Sequence, residues 1–264
     1  MRMRTAALFL IALAIVATTG ACASPRVMRA IEPAQTVDTA SVATLDPGME
    51  TAPKSDVRTV TFKSLALGRA MPYAIYLPPG YAMSKRAYPV LYMLHGMSGT
   101  NDEWREYGIF ERYRTVADLA HRAIGGVSMG AHGAVQLALN YPDTFSIVGA
   151  HSLVLRRFDT APSYFGSQSD WSKRDPMQLV VAKPAMAKRL RLWIDIGKDD
   201  PWAKLAEQFN GELDTLGITH QWHEWSGDHS ASYWCHHLAD YLHYYDTALA
   251  LENGAGFGAA VRLS

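Results

Sequence analysis

Short apolar runs alternate with longer amphipathic segments along most of this sequence. Continuous apolar runs such as 88–94 and 123–127 are typical of strands that are buried on both faces of a parallel sheet. This alternation predicts an α/β fold with a mostly parallel central sheet flanked by helices. The predicted strands are 57–66, 73–77, 88–94, 123–127, 146–152, 191–196 and 220–225. The predicted helices are a stretch that begins at Asn101, 131–140, 202–216 and 231–251, and the segment 153–184 is predicted to be irregular.

The N-terminal residues break this pattern. Arg2 and Arg4 precede the apolar run 6–17, which as a helix would span about 18 Å, short of the ~30 Å membrane core. That arrangement is typical of an export signal. The stretch "ACAS" predicts cleavage after Ala23, whereas "TTGAC" resembles a bacterial lipobox that would place a lipid on Cys22 and anchor the protein to a membrane. Both interpretations stay open. Both predict an exported protein that is periplasmic, extracellular or a lipoprotein of the cell envelope.

Four regions follow from these patterns. They are a signal peptide at 1–23 (ending before Cys22 in a lipoprotein), a flexible linker at 24–56, a folded α/β domain at 57–252 and a C-terminal tail at 253–264. The linker is rich in Ala, Thr, Pro and Asp and lacks periodicity. The roughly 200 residues that remain suit a single domain. After processing, Cys235 would be the one ordinary cysteine, so no internal disulfide is expected.

Charge and residue spacing exclude two classes of function. The chain has 25 Lys and Arg residues and 25 Asp and Glu residues, so its formal net charge is zero. A nucleic-acid-binding protein usually carries a basic excess, so no such partner is expected. The ten histidines and two cysteines form no H-E-x-x-H or C-x-x-C pattern. We therefore expect no metal site and no cofactor.

The stretch Gly126-Val127-Ser128-Met129-Gly130 matches the pattern G-x-S-x-G. It follows a predicted buried strand and precedes a predicted helix. In a strand–turn–helix of this kind, a strained turn exposes the serine hydroxyl above the sheet, and glycines leave room for close packing. Ser128 is therefore the candidate nucleophile. The alternative is a glycine-rich turn without chemistry.

A nucleophilic serine needs a base, and the base needs an acid that orients it. In elbow-type hydrolases the chain order is Ser, then Asp or Glu, then His. Asp200 follows the predicted strand 191–196 and is the candidate acid, with its neighbour Asp199 as the alternative; Asp199 is also expected to cap the helix near Trp202. His229 lies in a polar turn before the last helix and is the candidate base.

The negative charge that develops on an ester oxygen needs backbone N–H donors. Met129 directly follows the candidate nucleophile, so its N–H is the first candidate donor. The stretch His95-Gly96-Met97-Ser98-Gly99 ends an earlier buried strand, and its glycines allow the backbone to turn toward the serine. The N–H of Met97 is therefore the second candidate for the oxyanion hole.

Taken together, these motifs resemble the esterase-D/antigen-85-like branch of the α/β-hydrolase superfamily. That branch includes S-formylglutathione hydrolases, feruloyl and acetyl-xylan esterases, and mycolyltransferases. The resemblance covers most of 57–245. It rests on "YAIYLPPGY", "YPVLYMLHGMSG" with Asp102 and Trp104, "HRAIGGVSMGAHGA", "FG" at 165–166, "DP" at 175–176, "IGKDDPW" and "GDHSASYW". It implies an α/β-hydrolase fold, a triad of Ser128, Asp200 and His229, and oxyanion donors at Met97 and Met129.

One departure from the family pattern concerns the distance between Gly96 and Ser128. The family normally places a helix, a further parallel strand and a second helix between these points, whereas here only 32 positions separate them. A single crossover helix with its loops already needs about a dozen residues. The join is predicted near Glu111-Arg112-Tyr113. We therefore expect one central strand and its helix to be missing beside the strand 88–94, with lower stability or weaker activity as a result.

The predicted function is that of a secreted serine esterase that hydrolyses carboxylic esters through an acyl-enzyme on Ser128. The substrate is expected to be a small-molecule or carbohydrate-linked ester. Trp104, Phe165 and Trp171 are candidate substrate-binding residues, although the latter two are equally suited to packing the segment 153–184 onto the domain. Two alternatives stay open. One is an acyltransferase that uses the same site. The other is an impaired binding protein that retains the triad without turnover.

Overall fold

The computed structural model of the chain describes residues 56–85, 88–109, 122–161, 163 and 166–252. The predicted leader, the predicted linker up to Ser55 and the predicted tail, including the candidate lipidation site Cys22, lie outside the described residues. Among the helices that are described, none is both long enough and apolar enough to cross a membrane.

The described residues contain seven strands in two sheets. The first sheet is an antiparallel pair, and the second is a five-stranded parallel sheet whose strands lie side by side in chain order. The strands are β1 (Asp56–Ser64) and β2 (Arg69–Leu77) in the first sheet, and β3 (Val90–Leu94), β4 (Arg122–Val127), β5 (Ile147–His151), β6 (Arg191–Gly197) and β7 (His220–Trp225) in the second. The predicted α/β fold with a mostly parallel sheet flanked by helices is confirmed.

Helices cover both faces of the parallel sheet. The described α-helices are α1 (Glu103–Glu106), α2 (Met129–Asn140), α3 (Gln168–Ser172), α4 (Pro176–Ala182), α5 (Pro184–Ala187), α6 (Ala203–Thr215) and α7 (Ala231–Glu252). Successive side chains of a strand point to opposite faces. Ile124 of β4 accordingly packs with α2, α4 and α6 on one face, whereas Ala123 and Val127 pack with α1 and α7 on the other. The two apolar clusters hold the carboxyl ends of the parallel strands in register.

The segment 153–184 is more regular than expected, because it contains α3 and α4 and the start of α5. Local capping explains the first two of these short helices. The Ser167 hydroxyl accepts the Asp170 N–H, and the Asp170 carboxylate accepts the Ser167 N–H in return. Asp175 caps α4, and Pro176 occupies its first turn, where a missing N–H costs nothing. The capping residues can be recognised in the sequence, but helices of five and seven residues are too short to show a clear apolar period.

Asp175 makes folding stability depend on pH. Its Oδ2 accepts the Gln178 N–H at 3.0 Å, its Oδ1 is buried without a partner, and this burial raises the pKa of the carboxyl from 3.8 to about 6. The folded state therefore binds more protons than the unfolded state between pH 4 and 6, so its stability falls as the pH rises through this range. The side chain of Asp175→Asn can still cap α4 but has no charge to titrate. We expect this variant to reduce the pH-dependent fall in the free energy of unfolding by up to about 2 kcal/mol. Urea unfolding of both proteins at pH 4.5 and pH 7 checks this, and parallel pH slopes would contradict it.

The strand β3 differs from its expected environment. Its apolar run predicts burial on both faces, yet Val90 is 41% exposed and Tyr92 is 44% exposed. β3 pairs with β4 on one side and is the outer strand of the described parallel sheet. That prediction of burial is therefore wrong for this strand, because the described elements only partly cover the face that Val90 and Tyr92 share. The residues 110–121 between α1 and β4 lie outside the described residues, so the missing strand stays a prediction.

Cys235 lies on α7. The other cysteine of the chain, Cys22, lies outside the described residues. The expectation that the processed chain has no internal disulfide therefore stays a prediction.

Candidate active site

The candidate nucleophile Ser128 lies on a tight turn between β4 and α2. Its φ of 58° and ψ of −118° place it in a region that residues with a side chain rarely adopt. Its N–H donates to the His151 carbonyl on β5 at 3.0 Å, which ties the turn to the neighbouring strand. The backbone strain is typical of a residue whose position is set by function rather than by local preference.

Two glycines make this turn possible. A Cβ atom on Gly126 would lie 2.6 Å from the Gly130 carbonyl carbon and 2.7 Å from the Leu94 carbonyl oxygen. A Cβ atom on Gly130 would collide with the same oxygen and lie 2.8 Å from the His95 oxygen. All of these neighbours are backbone atoms, which cannot move aside cheaply. The end of β3 therefore packs directly against the turn.

We expect Gly126→Ala to destabilise the fold by about 3 kcal/mol or more, because the added methyl group overlaps backbone on two elements. The matched control is Gly211→Ala in α6, where an added Cβ meets no atom within 4 Å. Alanine is the better helix former, so this control should stabilise the fold by roughly 0.5–1 kcal/mol. Urea unfolding measures both changes. A Gly126→Ala protein as stable as the unaltered protein would refute the close packing.

The three candidate triad residues meet in one chain of hydrogen bonds. His229 Nε2 lies 2.8 Å from Ser128 Oγ, and His229 Nδ1 lies 2.6 Å from Asp200 Oδ2. A neutral imidazole with its proton on Nδ1 donates to the carboxylate and accepts the serine O–H. Asp200 is 4% exposed and Ser128 is 8% exposed, so both lie largely out of water. The arrangement can move a proton from the serine hydroxyl to the imidazole.

The two loops that carry Asp200 and His229 are bonded to each other. The Lys198 N–H donates to the Trp225 carbonyl at 2.8 Å, and the Asp199 N–H donates to the Gly227 carbonyl at 2.9 Å. The carboxylate of Asp200 accepts the Trp202 N–H at 2.9 Å, so Asp200 and not Asp199 caps the turn before α6. Asp199 is exposed, and its carboxylate makes none of the triad contacts given above. These bonds fix the candidate acid and the candidate base relative to one another.

A buried polar cluster below the site joins α7 to the strands. The Asp195 carboxylate on β6 accepts the Trp193 Nε1–H at 2.8 Å and the Tyr233 and Tyr241 hydroxyls at 3.2 and 3.0 Å. His151 Nδ1 lies 2.7 Å from the same carboxylate. Burial, followed by the charge of Asp195, raises the pKa of Tyr241, which keeps its hydroxyl protonated as a donor. Because α7 follows His229 directly, this cluster helps to hold the His229 loop in place.

The candidate oxyanion donors lie on either side of Ser128. Met129 is the first residue of α2, and its N–H has no intrahelical acceptor. Met97 follows Gly96, whose own N–H donates to Glu103 Oε2 at 2.7 Å. Neither methionine N–H donates a hydrogen bond to a described residue. Both methionines line the same cavity as Ser128 and His229. Two unengaged N–H groups beside a nucleophile suit an oxyanion hole.

A cavity of about 220 Å³ opens at the candidate triad. Besides Ser128 and His229, its lining residues are Gly96, Met97, Glu103, Met129, Val154, Arg156, Trp202 and Trp234. Sequence reasoning did not single out Arg156, Trp202 or Trp234 as site residues. Trp202 could have been found from its position, two residues after the candidate acid.

Trp104 and Trp171, two of the three candidate substrate-binding residues, lie outside the cavity lining. Trp104 is 5% exposed, and its Nε1–H donates to the Leu94 carbonyl at 3.1 Å. Trp171 is also 5% exposed, and its ring lies beside His132. Both side chains pack in the interior and do not line the cavity, so the structure brings neither of them into contact with it. Phe165 lies outside the described residues.

The described side chains form no cluster of three or more His, Cys, Asp or Glu residues that could hold a metal ion. The histidines outside the candidate triad have other contacts. His223 stacks on Trp193 and on Trp225, and His237 also stacks on Trp225. Burial lowers the pKa of His223, which favours its neutral form.

Solved structures share this architecture. A ferulic acid esterase is 24% identical, with a TM-score of 0.63 over 74% of this chain and 99% of its own. An S-formylglutathione hydrolase from Agrobacterium tumefaciens is 20% identical, with a TM-score of 0.60 over 76% and 98%. A fluorophosphonate-binding serine hydrolase from Staphylococcus aureus is 17% identical, with a TM-score of 0.58 over 72% and 98%. At these identities the likeness establishes the fold.

A family model described as "Putative esterase" matches residues 64–115 and 109–245. The two segments together cover more than half of the chain. They overlap at 109–115, which includes the point where the sequence predicts the join. The chain therefore belongs to this esterase family, and it is a carboxylic ester hydrolase with the α/β-hydrolase fold.

Proposed function

We propose that this protein is an exported serine esterase that cleaves a small-molecule or carbohydrate-linked ester through an acyl-enzyme on Ser128. The observation that carries the proposal is the continuous hydrogen-bond chain from Ser128 through His229 to Asp200. A serine, a base and an orienting acid at these distances form the arrangement that nucleophilic ester cleavage requires.

In the first half of the reaction, His229 Nε2 takes the proton from Ser128 Oγ as this oxygen attacks the ester carbonyl carbon. The N–H groups of Met97 and Met129 stabilise the resulting oxyanion. Asp200 keeps the imidazole oriented and stabilises its positive charge. When the tetrahedral intermediate collapses, the C–O bond to the alcohol breaks, and the alcohol leaves with the proton from His229.

In the second half, water replaces the alcohol. His229 removes a proton from the water as its oxygen attacks the acyl carbon, and the carboxylic acid departs while Ser128 recovers its proton. An acyltransferase would use an acceptor alcohol in place of water. The solved relatives whose names specify ferulic acid esters or S-formylglutathione indicate the range of chemistry that this fold supports, and they do not set the substrate here.

The test is acylation of the purified exported chain. A chromogenic ester such as p-nitrophenyl acetate should give a burst of one nitrophenol per chain, and mass spectrometry of the quenched protein should find the acyl group on the peptide that contains Ser128. A folded protein that shows no burst, no turnover and no label would overturn the proposal. Acyl products formed with glycerol or a sugar would identify a transferase, and saturable ester binding without turnover would identify an impaired binding protein.

Export is the second part of the proposal. It rests on Arg2, Arg4 and the apolar run 6–17, followed by a segment that suits a tether before the folded domain that starts near residue 57. Intact mass measurement of the protein from an exporting host distinguishes the forms: an N-terminus at Ser24, a lipidated Cys22, or an uncleaved chain.

A further inference from the structure

The cavity at Ser128 contains a cation that the reaction described above does not use. Arg156 lies five residues after β5 and is half-buried in the cavity lining. Its guanidinium carbon lies 5.5 Å from the centre of the Trp202 ring, which also lines the cavity. Contact with an aromatic face holds a guanidinium in one orientation and leaves its in-plane N–H groups available.

Arg156 has no counter-ion within the part of the chain that the structure describes. Its neighbour Arg157 pairs with Asp159 at 3.4 Å on the exposed surface, whereas no carboxylate lies within ion-pair distance of Arg156. Glu103 also lines the cavity, but its Oε2 accepts the Gly96 N–H and its Oε1 accepts the Tyr107 hydroxyl. A partly buried charge without a partner is costly, so an anion that enters the cavity would be stabilised there.

The cavity is also small. Its volume of about 220 Å³ lies below the roughly 300–1,000 Å³ of pockets that enclose drug-sized ligands. Val154 and Trp234 supply apolar surface beside the candidate triad. A compact acyl or alcohol group with one anionic end fits both the size and the charge of this space.

We propose that Arg156 makes this site selective for small esters that carry a carboxylate close to the scissile bond, such as monoesters of short dicarboxylic acids. The guanidinium pairs with the free carboxylate while Ser128 attacks the ester carbonyl. This inference rests on the proposed function. Arg156 acts here as a specificity-determining residue, and it takes no part in proton transfer.

The test compares matched esters by pH-stat. In the acyl pair, monomethyl succinate carries a carboxylate where methyl 4-methylpentanoate carries an isopropyl group; in the alcohol pair, O-acetylglycolate is compared with isobutyl acetate. We expect the unaltered enzyme to have a higher kcat/KM for the anionic member of at least one pair. Arg156→Gln should lower kcat/KM for that member by about 10- to 100-fold and leave the neutral member within about twofold. Arg157→Gln, the adjacent exposed arginine, should change neither value.

Three outcomes would overturn the inference. The first is that neither pair shows a higher kcat/KM for its anionic ester. The second is that Arg156→Gln lowers kcat/KM equally for both members of a pair. The third is that Arg157→Gln lowers kcat/KM for the anionic ester as much as Arg156→Gln does. If no ester is turned over, the proposed function fails separately. Binding of monomethyl succinate to the Ser128→Ala protein, followed by Trp fluorescence, then decides the role of Arg156. Weaker binding after addition of Arg156→Gln would support it, and unchanged or absent binding would refute it.

Discussion

Ser128→Ala is expected to lower kcat for ester hydrolysis by roughly 10⁴- to 10⁶-fold and to abolish labelling by a fluorophosphonate. In the proposed mechanism the hydroxyl oxygen forms the acyl bond, so no neighbouring group can replace it. The protein should stay folded, because the lost hydroxyl contacts only His229 among the hydrogen bonds that the structure describes. Circular dichroism and urea unfolding confirm that the variant is comparable to the unaltered protein.

Ser152 provides the matched control. It also ends a parallel strand with a positive φ of 49°, but it is fully buried, and its hydroxyl accepts the Trp234 Nε1–H at 2.8 Å. Ser152→Ala should therefore retain the fluorophosphonate label even if its stability falls. Loss of the label in Ser152→Ala together with its persistence in Ser128→Ala would reverse the assignment of the nucleophile.

Asp200→Asn is expected to lower kcat by roughly 10³- to 10⁴-fold. An amide can take the place of the carboxylate but does not stabilise the imidazolium, and its NH₂ group favours the wrong tautomer of His229. Asp199→Asn is the control, since this neighbouring carboxylate is exposed and its backbone N–H, not its side chain, makes the bond to Gly227. It should change kcat less than about twofold.

Steady-state kinetics with a simple acetate ester decides between the two aspartates. The rate of fluorophosphonate labelling should fall in parallel with kcat in Asp200→Asn, because both reactions need an activated serine. A larger loss in Asp199→Asn would show that the acid is Asp199, an alternative that the sequence leaves open. Equal, small losses in both variants would mean that neither carboxylate orients His229.

Two features of the site follow from the sequence: a turn set by adjacent residues, and the order of the candidate acid and base along the chain. The pattern Gly126–Gly130 specifies a turn through the backbone needs of a few adjacent residues, so the strand–turn–helix around Ser128 follows from it. The order of Asp200 and His229 along the chain, together with their positions after strands, was enough to predict their proximity. The structure places both within hydrogen-bond distance of one another.

The features that sequence missed depend on which segments become neighbours. The apolar run in β3 is compatible with burial, but the exposure of Val90 and Tyr92 depends on which elements of the fold cover the face that they share. Trp104 is a candidate substrate-binding residue in the sequence. Its indole N–H is instead satisfied by a backbone carbonyl within the core.

The residues that line the cavity were also not predictable from local sequence. Arg156 and Trp202 come from loops that follow different strands, and their cation–π contact has no counterpart in local sequence. Residue type alone would favour a surface position for an arginine beside another arginine. Only the fold shows that one of the pair faces the cavity while the other faces the surface and pairs with Asp159.

The position of α7 at the end of the described fold has a consequence for synthesis. Ser128 and His229 are 101 residues apart, and Tyr233, Tyr241 and Tyr245, which bond to the Asp195–His151 pair, all come after the histidine. A nascent chain that has emerged only as far as β6 has its serine but no base. Under the proposed function, the catalytic centre is therefore complete only once the residues that follow β6 have been made and α7 has packed against the strands.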